Sequence, residues 1–357
     1  MTKQLKGLET LRALAALVVL WGHIELLKQR EALPNLIDSD FTIFPDGHIA
    51  VVLFFVLSGF LITYILVGEK EIAGKISYKN FILRRVLRIL PLYYTILILS
   101  FLLIDSEYSS KTILLCFSIF PNIADALNIE WTASPQIWSI GVEEQFYLFW
   151  PLLLMLLPEK RVVLFLVFFF VVYSLLPHII GYINVRTAQD ENVTSFVGNF
   201  FHNTKFNCIA VGAFFGYGFA RKKNWLTVFC KNSVFIGVSI LTFSLWFSRF
   251  ELVFFTEELF AVLFGIMLVG IVQNETISID TKISVFLGKI SYGIYMYHWI
   301  ILVLLLKYLP KNENGIVYNL LLYSLALFFT ILISWISRIT LEQYFLNLKG
   351  KYRLKKP

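Results

Sequence analysis

A helix needs about 20 apolar residues to cross a bilayer, and ten stretches of this chain reach or approach that length. They are residues 8–27, 48–67, 88–104, 137–157, 161–181, 205–220, 232–249, 253–273, 284–307 and 316–340. A further apolar piece, 112–124, is too short and runs into Pro121-Asn122, so it is expected to lie half-buried on the outer side. The pattern predicts an all-α polytopic integral membrane protein of about ten transmembrane helices.

The basic residues of the connecting segments orient these spans, independently of the hydropathy that located them. With residue 1 inside, the cytoplasm receives Lys3, Lys6, the 68–90 segment, Lys160, Arg161, Arg221 to Lys223, Lys231, Lys282, Lys289 and the Lys349–Lys356 tail. That is roughly 21 of the 31 basic residues, against roughly 8 outside. Both termini are therefore expected in the cytoplasm, as an even number of spans requires. Lys3 and Lys6 ahead of an apolar stretch imitate a secretory signal, but Glu9 and Arg12 interrupt it and no small-residue cleavage site precedes His23. No linker, low-complexity block or internal repeat is visible. Residues 1–345 are expected to form one membrane domain, with 346–357 as a short basic cytoplasmic tail.

Composition agrees with this class. Of 357 residues, 58% are hydrophobic and 15% charged, which is more apolar surface than one soluble core requires. The net charge of +7 follows from basic cytoplasmic loops, so no nucleic-acid partner is expected. Cys116, Cys208 and Cys230 are odd in number and lack the spacing of a disulfide framework or metal site, so they read as apolar filler.

Ionisable groups at membrane depth are costly and usually face protein or a water-filled cavity. Four places hold them. Arg12 and His23 lie eleven residues apart in the first span, nearly three full turns, so they share one face about 16 Å apart. Arg12 lies shallow on the cytoplasmic side, and His23 lies beyond the midplane after Gly22. The bland reading is a snorkelling arginine and an interhelical hydrogen bond. Next, Arg84, Arg85 and Arg88 sit at helical spacing with no balancing acid in their own segment. An ordinary basic flank explains them, and so does an anionic ligand whose phosphates suit the guanidinium fork. Third, Glu143 and Glu144 point about 100° apart in the fourth predicted span, so one of them faces any pocket there. A carboxylate near His23 would orient its imidazole, whereas the bland reading is an interhelical ion pair. Fourth, Tyr292, Tyr295 and His298 follow one another at three-residue steps on neighbouring parts of one face. His48, His178 and His202 fall near span ends or in the polar 182–203 outer loop with Asn184, Arg186, Asp190, Glu191 and Asn192, where solvated histidines are ordinary. No third ligand stands at metal-like spacing, so no metal is expected.

Taken in order, these residues resemble the acyltransferase-3 family of bacterial membrane O-acyltransferases, of the surface-polysaccharide O-acetyltransferase type. The likeness begins with Leu8-Glu9-Thr10-Leu11-Arg12, ten intervening residues and His23, and continues through Phe54-Phe55-Val56-Leu57-Ser58-Gly59-Phe60 and the arginine cluster. It ends with Trp138-Ser139, Val142-Glu143-Glu144-Gln145-Phe146-Tyr147 and Ser291-Tyr292-Gly293-Ile294-Tyr295 with His298. The resemblance implies acetyl-coenzyme A, or a related acyl-CoA, as donor from the cytoplasm, and a hydroxyl of a cell-envelope polysaccharide or lipid-linked sugar as acceptor. It implies that Arg85 and Arg88, helped by Arg84, hold the donor's phosphates, with Arg12 near its mouth and Ser58, Tyr292 and His298 as further donor-side residues. His23 becomes the catalytic centre, as a general base or a brief acyl carrier, with Glu143 or Glu144 orienting it. The implied location is the bacterial cytoplasmic (inner) membrane, multi-pass. The extracytoplasmic SGNH-type domain of larger members is not seen before Pro357, which leaves two alternatives: a separate periplasmic or extracellular partner completes transfer, or the membrane domain acts alone on a lipid-linked sugar or surface polysaccharide. A transporter for an anionic solute is the rival reading, although the halves related by repeat that would favour it are not visible.

Overall fold

Backbone polar groups have no water to bond in a bilayer, so apolar stretches of this length satisfy them internally as helices. The computed structural model describes residues 5–37, 44–187, 191–274, 277–310 and 315–352, and excludes the side chains of 184, 185, 187, 191–194, 349 and 351. Among the described residues there is no β-strand. The α-helices are α1 (Leu8–Arg30), α2 (Gly47–Ala73), α3 (Tyr78–Leu103), α4 (Ser110–Phe117), α5 (Pro121–Ala126), α6 (Trp138–Leu156), α7 (Glu159–Thr187) and α8 (Glu191–Thr204). They continue as α9 (Phe206–Ala220), α10 (Asn232–Phe247), α11 (Thr256–Gln273), α12 (Lys282–Lys289), α13 (Ser291–Tyr308), α14 (Gly315–Ser337) and α15 (Gln343–Lys349).

Every predicted span coincides with a helix, yet they are not equivalent. Six helical segments are long and apolar enough to cross a membrane, on α1, α2, α3, α7, α11 and the run from Gly315 to Leu348. The pair α12 and α13 makes a seventh only if its 68° bend is ignored, so the predicted span 284–307 is broken at Ile290. The predicted spans 137–157, 205–220 and 232–249 correspond to α6, which carries Glu143, Glu144 and Gln145, and to the shorter α9 and α10. The third predicted span starts too late, because α3 begins at Tyr78 and includes all three arginines. The short piece 112–124 becomes α4 and α5, with Pro121 starting α5, where its missing N–H costs nothing. The expected 182–203 loop is instead helical on both sides, through Thr187 and from Glu191. Asp190 and the side chains of Asn184, Glu191 and Asn192 lie outside the described residues, as do Arg353 to Pro357 of the tail.

Helix α2 is the axis of the bundle. In its most apolar window 78% of residues are buried, against 17% for α7 and 22% for the α14 run. Leu164 and Phe168 on α7 and Leu320 and Phe328 on α14 face outward, as lipid-facing perimeter residues do. The tightest seam is α2 on α9. A Cβ on Gly59 would run into the Ile209 carbonyl, and one on Gly212 into the Val56 carbonyl, so only glycine permits this approach. The polar start of α6 is clamped from both sides. Gln145 and Asn122 exchange two amide hydrogen bonds of 2.7 and 3.1 Å with α5, and Gln136 donates to the Met296 carbonyl of α13 at 3.1 Å. These clamps fix the helix that carries the glutamates.

Candidate active site

Five helices, α1, α2, α3, α6 and α13, enclose a narrow cavity of about 100 Å³ in the middle of the bundle. Arg12, Ser58, Arg85, Arg88, Glu143 and Tyr292 all line it, so residues scattered over 281 positions of sequence converge on one space (12 to 292). Arg84, Glu144, His23 and His298 are not part of its wall.

The three neighbouring arginines have separate fates. Arg84 turns toward α2, pairs with Glu69 and donates to the Tyr352 carbonyl at 3.0 Å. The expectation that the cluster lacks a balancing acid is therefore corrected for Arg84: the acid comes from the preceding helix. Arg85 is buried between Phe81 and Tyr147, with its guanidinium carbon 5.5 and 5.4 Å from their ring centres. Its Nε has no hydrogen-bond partner. Among the described residues neither Arg85 nor Arg88 has a carboxylate at ion-pair distance, and Arg12 has only Glu9, at 3.3 Å one turn away. A buried guanidinium without a counter-charge is expensive. Two of them facing one cavity suit phosphate oxygens, the chemistry of an acyl-CoA donor.

The structure separates the two glutamates as their angular offset requires. Glu143 faces the cavity, and its Oε2 accepts from the Tyr147 hydroxyl at 2.5 Å and the Ser58 hydroxyl at 3.3 Å. Ser58 and Tyr147 also bond to each other, closing a three-membered network. Glu144 is buried away from the cavity with Oε1 unpartnered. Tyr292 lines the cavity while its hydroxyl donates to the Ile89 carbonyl at 2.9 Å, tying α13 to α3 beside the arginines.

His23 lies beyond this cavity, and its partner differs from expectation. Its Nδ1 is 2.7 Å from Nε2 of His298, with the two rings parallel to within 1°. No carboxylate bonds it among the described residues, so the orienting group is a second imidazole. His298 is fully buried, and Trp299 packs edge-on against His23 while its Nε1 donates to the Thr132 carbonyl at 3.1 Å. His23 Nε2 is thus the nitrogen left for a reacting group, with the tautomer set by the His298 bond. Tyr295 stands between pair and cavity: its ring centre is 5.8 Å from that of His298, and it lines the cavity. The Tyr295 hydroxyl bonds Ser139 Oγ at 2.7 Å and donates to the Gln136 carbonyl at 3.0 Å. Tyr295 belongs to the candidate group that the sequence marks with Tyr292 and His298, whereas the sequence assigns Tyr147 no role, although it stands one turn from Glu143, a spacing that brings side chains together.

The family profile described as "Acyltransferase domain" (acyltransferase-3) matches residues 5–339. A peptidoglycan O-acetyltransferase, OatA, of Listeria monocytogenes is 30% identical over 168 residues, covering 43% of this chain and 24% of that protein. A putative O-acetyltransferase of Staphylococcus aureus strain COL is also 30% identical over 168 residues, covering 43% of this chain and 25% of its own length. An uncharacterised protein of Haemophilus influenzae is 35% identical over 122 residues, 30% of this chain and 49% of that one. The matched part spans about a quarter of the length of the two O-acetyltransferases. No solved structure matches the chain.

Proposed function

The chain belongs to the acyltransferase-3 family, and on that premise we propose that it moves an acyl group, acetyl above all, from cytoplasmic acyl-CoA to a hydroxyl of a cell-envelope polysaccharide or lipid-linked sugar. The reading places it in the bacterial cytoplasmic membrane with about ten spans, α6, α9 and α10 crossing within the shelter of the longer helices, and both termini inside. The observation that carries it is the pair of cavity-facing guanidiniums, Arg85 and Arg88, which among the described residues have no carboxylate at ion-pair distance.

When bound, acyl-CoA supplies the acyl group as a thioester. Arg85 and Arg88 would hold its phosphates, and Arg12 the mouth of the cavity. The narrow cavity would take the slender arm of the donor, with the phosphates at the Arg85–Arg88 end. Glu143, fixed by Tyr147 and Ser58, presents its carboxyl group to the cavity that the arginines line. His23 takes the proton of the acceptor hydroxyl at Nε2 while His298 holds its ring. A separate periplasmic or extracellular partner would carry the group onward where the acceptor is a polymer.

The test is thioester consumption by purified protein. Wild type is expected to release free thiol from acetyl-CoA, and His23→Ala at matched folding to lose that release. A well-folded wild type that neither binds nor consumes the thioester would overturn the reading.

A further inference from the structure

A second cavity, of about 420 Å³, opens at the Gly47 end of α2, opposite the end where Glu69 meets Arg84. The donor reading uses none of it. His48, His178 and His202, which look unremarkable in sequence, all line it.

Its polar groups differ from those of the first cavity. Among the described residues its cations are already met: Lys205 Nζ is 2.9 Å from Glu257 Oε1, and the Arg249 guanidinium lies over the Phe44 ring at 4.9 Å and donates to the Phe44 carbonyl. His48 Nε2 lies 3.4 Å from the same Glu257 oxygen. Asn207 donates to Glu258 Oε1 at 2.7 Å and to Ser174 Oγ at 3.0 Å. An anion entering here meets the carboxylates of Glu257 and Glu258 and a Lys205 already paired, while Arg249 is held by the Phe44 ring and carbonyl rather than by an acid. An uncharged polyol meets acceptors, donors and, in the exposed rings of Phe250 and Phe254, flat aromatic faces for the C–H side of a sugar ring.

Backbone strain marks the same place. Lys205, Arg249 and Phe255 have φ of 43°, 52° and 66°, in the left-handed region that side chains of this size rarely occupy, and all three line the cavity. Such conformations persist where the surroundings over-determine them, and they cluster at ligand sites.

One side chain stands between the two cavities. The Trp138 indole lies 6.1 Å from the His48 ring, which lines the second, and 6.0 Å from the Phe55 ring, which lines the first. The close approach of Gly22 to Gly47 crosses the backbones that carry His23 and His48 at this level.

We propose that the second cavity is the acceptor site, that it takes an uncharged, hydroxyl-rich sugar, and that Trp138 is the partition past which the sugar hydroxyl meets the acyl group. The inference rests on the acyl-transfer reading. The acyl carbon–oxygen bond to the sugar forms as the acyl carbon–sulfur bond breaks, and the hydroxyl proton passes through His23 to the departing thiol.

The test compares acetyl transfer from labelled acetyl-CoA to two probes, a neutral N-acetylhexosamine tetrasaccharide and a uronic-acid tetrasaccharide, by the full-length protein in detergent. The neutral probe is expected to be the acceptor. Glu258→Gln should raise its KM about tenfold while the KM for acetyl-CoA stays within about twofold. Phe254→Ala, at a residue 56% exposed and so tolerant of truncation, provides a second variant with the same expected split. Transfer to the uronic-acid probe instead, or to neither while the thioester is turned over, overturns the neutral-sugar assignment. An unchanged acceptor KM in both variants, or equal shifts in both KM values, overturns the site. A wild type inert toward acetyl-CoA defeats the acyl-transfer reading itself, a distinguishable failure.

Discussion

The two cavities touch α2 within two residues of each other, at Ile49 and Val51, yet they handle charge in opposite ways. In the narrow one, among the described residues Arg85 and Arg88 have no carboxylate at ion-pair distance and Arg85 Nε has no hydrogen-bond partner, although Glu143 shares the wall. In the wide one, Lys205 and Glu257 already satisfy each other, and what is unusual is the backbone that holds them. An unfinished charge selects a ligand by its charge, whereas a finished network selects by shape and hydroxyl pattern. Arg84 sharpens the contrast, because pairing with Glu69 converts it from a ligand-facing group into a brace between α2 and α3.

The largest expected effect comes from the histidine assigned the proton transfer, which lines neither cavity. His23→Ala should lower transfer by about 10²–10⁴-fold, read as product formed per folded enzyme, and near-normal turnover would separate the His23–His298 pair from the chemistry. Arg85→Ala with Arg88→Ala should raise the KM for acetyl-CoA by about 10–100-fold, as loss of charge-assisted contacts does. Acetyl-pantetheine, which lacks the nucleotide phosphates, should not discriminate this double variant from wild type. Glu143→Gln should slow turnover about tenfold and Glu144→Gln should not, since only Glu143 lines the narrow cavity; the opposite ranking in a steady-state assay would reverse their roles.

Arg84→Ala should cost about 1–2 kcal/mol in stability, seen as a lower melting temperature, and leave the donor KM near normal. A donor KM shifted as far as in the Arg85 and Arg88 variant would erase the distinction drawn among the arginines. The smallest effect concerns Asp125, whose Oδ2 accepts from Asn203 at 2.6 Å and so fastens α5 to α8 beside the wide cavity. Burial, and then Glu130, raise its pKa above the ordinary carboxylate value, against the opposing hydrogen bond from Asn203. The folded state therefore holds this proton more tightly than the unfolded one, and the charged form costs stability above the folded pKa, a cost that fades as pH falls. Asp125→Asn should leave neutral-pH stability unchanged or slightly higher and flatten the acid-side slope of a melting-temperature profile. A marked loss at neutral pH would show that the ionised carboxylate stabilises the α5–α8 contact.

Much of this was legible in one dimension. Apolar stretches predicted helices in every place where the long ones occur, because satisfying the backbone in lipid leaves little alternative. The polar interruptions Arg12, His23, Glu143 and His298 stood out as candidates for the same reason: a costly group at membrane depth needs a purpose. The sequence was less informative wherever a second helix decides the outcome. Helical spacing shows that Glu143 and Glu144 diverge, but not which of them meets Ser58, 85 residues away. It groups three arginines, but cannot see that Glu69 removes one of them. It marks His48, His178 and His202 as ordinary, because nothing local brings them to a common wall.

By itself, then, the sequence determined the solvent of this protein, the helical form of its elements and the set of residues too costly to be incidental. These follow from local length, hydropathy and charge, and need no partner. Tertiary structure alone decided that His23 pairs with His298 across 275 residues, which glutamate faces the donor cavity, and that a second cavity lies one indole away. Those outcomes depend on how close two helices can come, and here glycines such as Gly59 and Gly212 set that distance by having no side chain to keep the backbones apart.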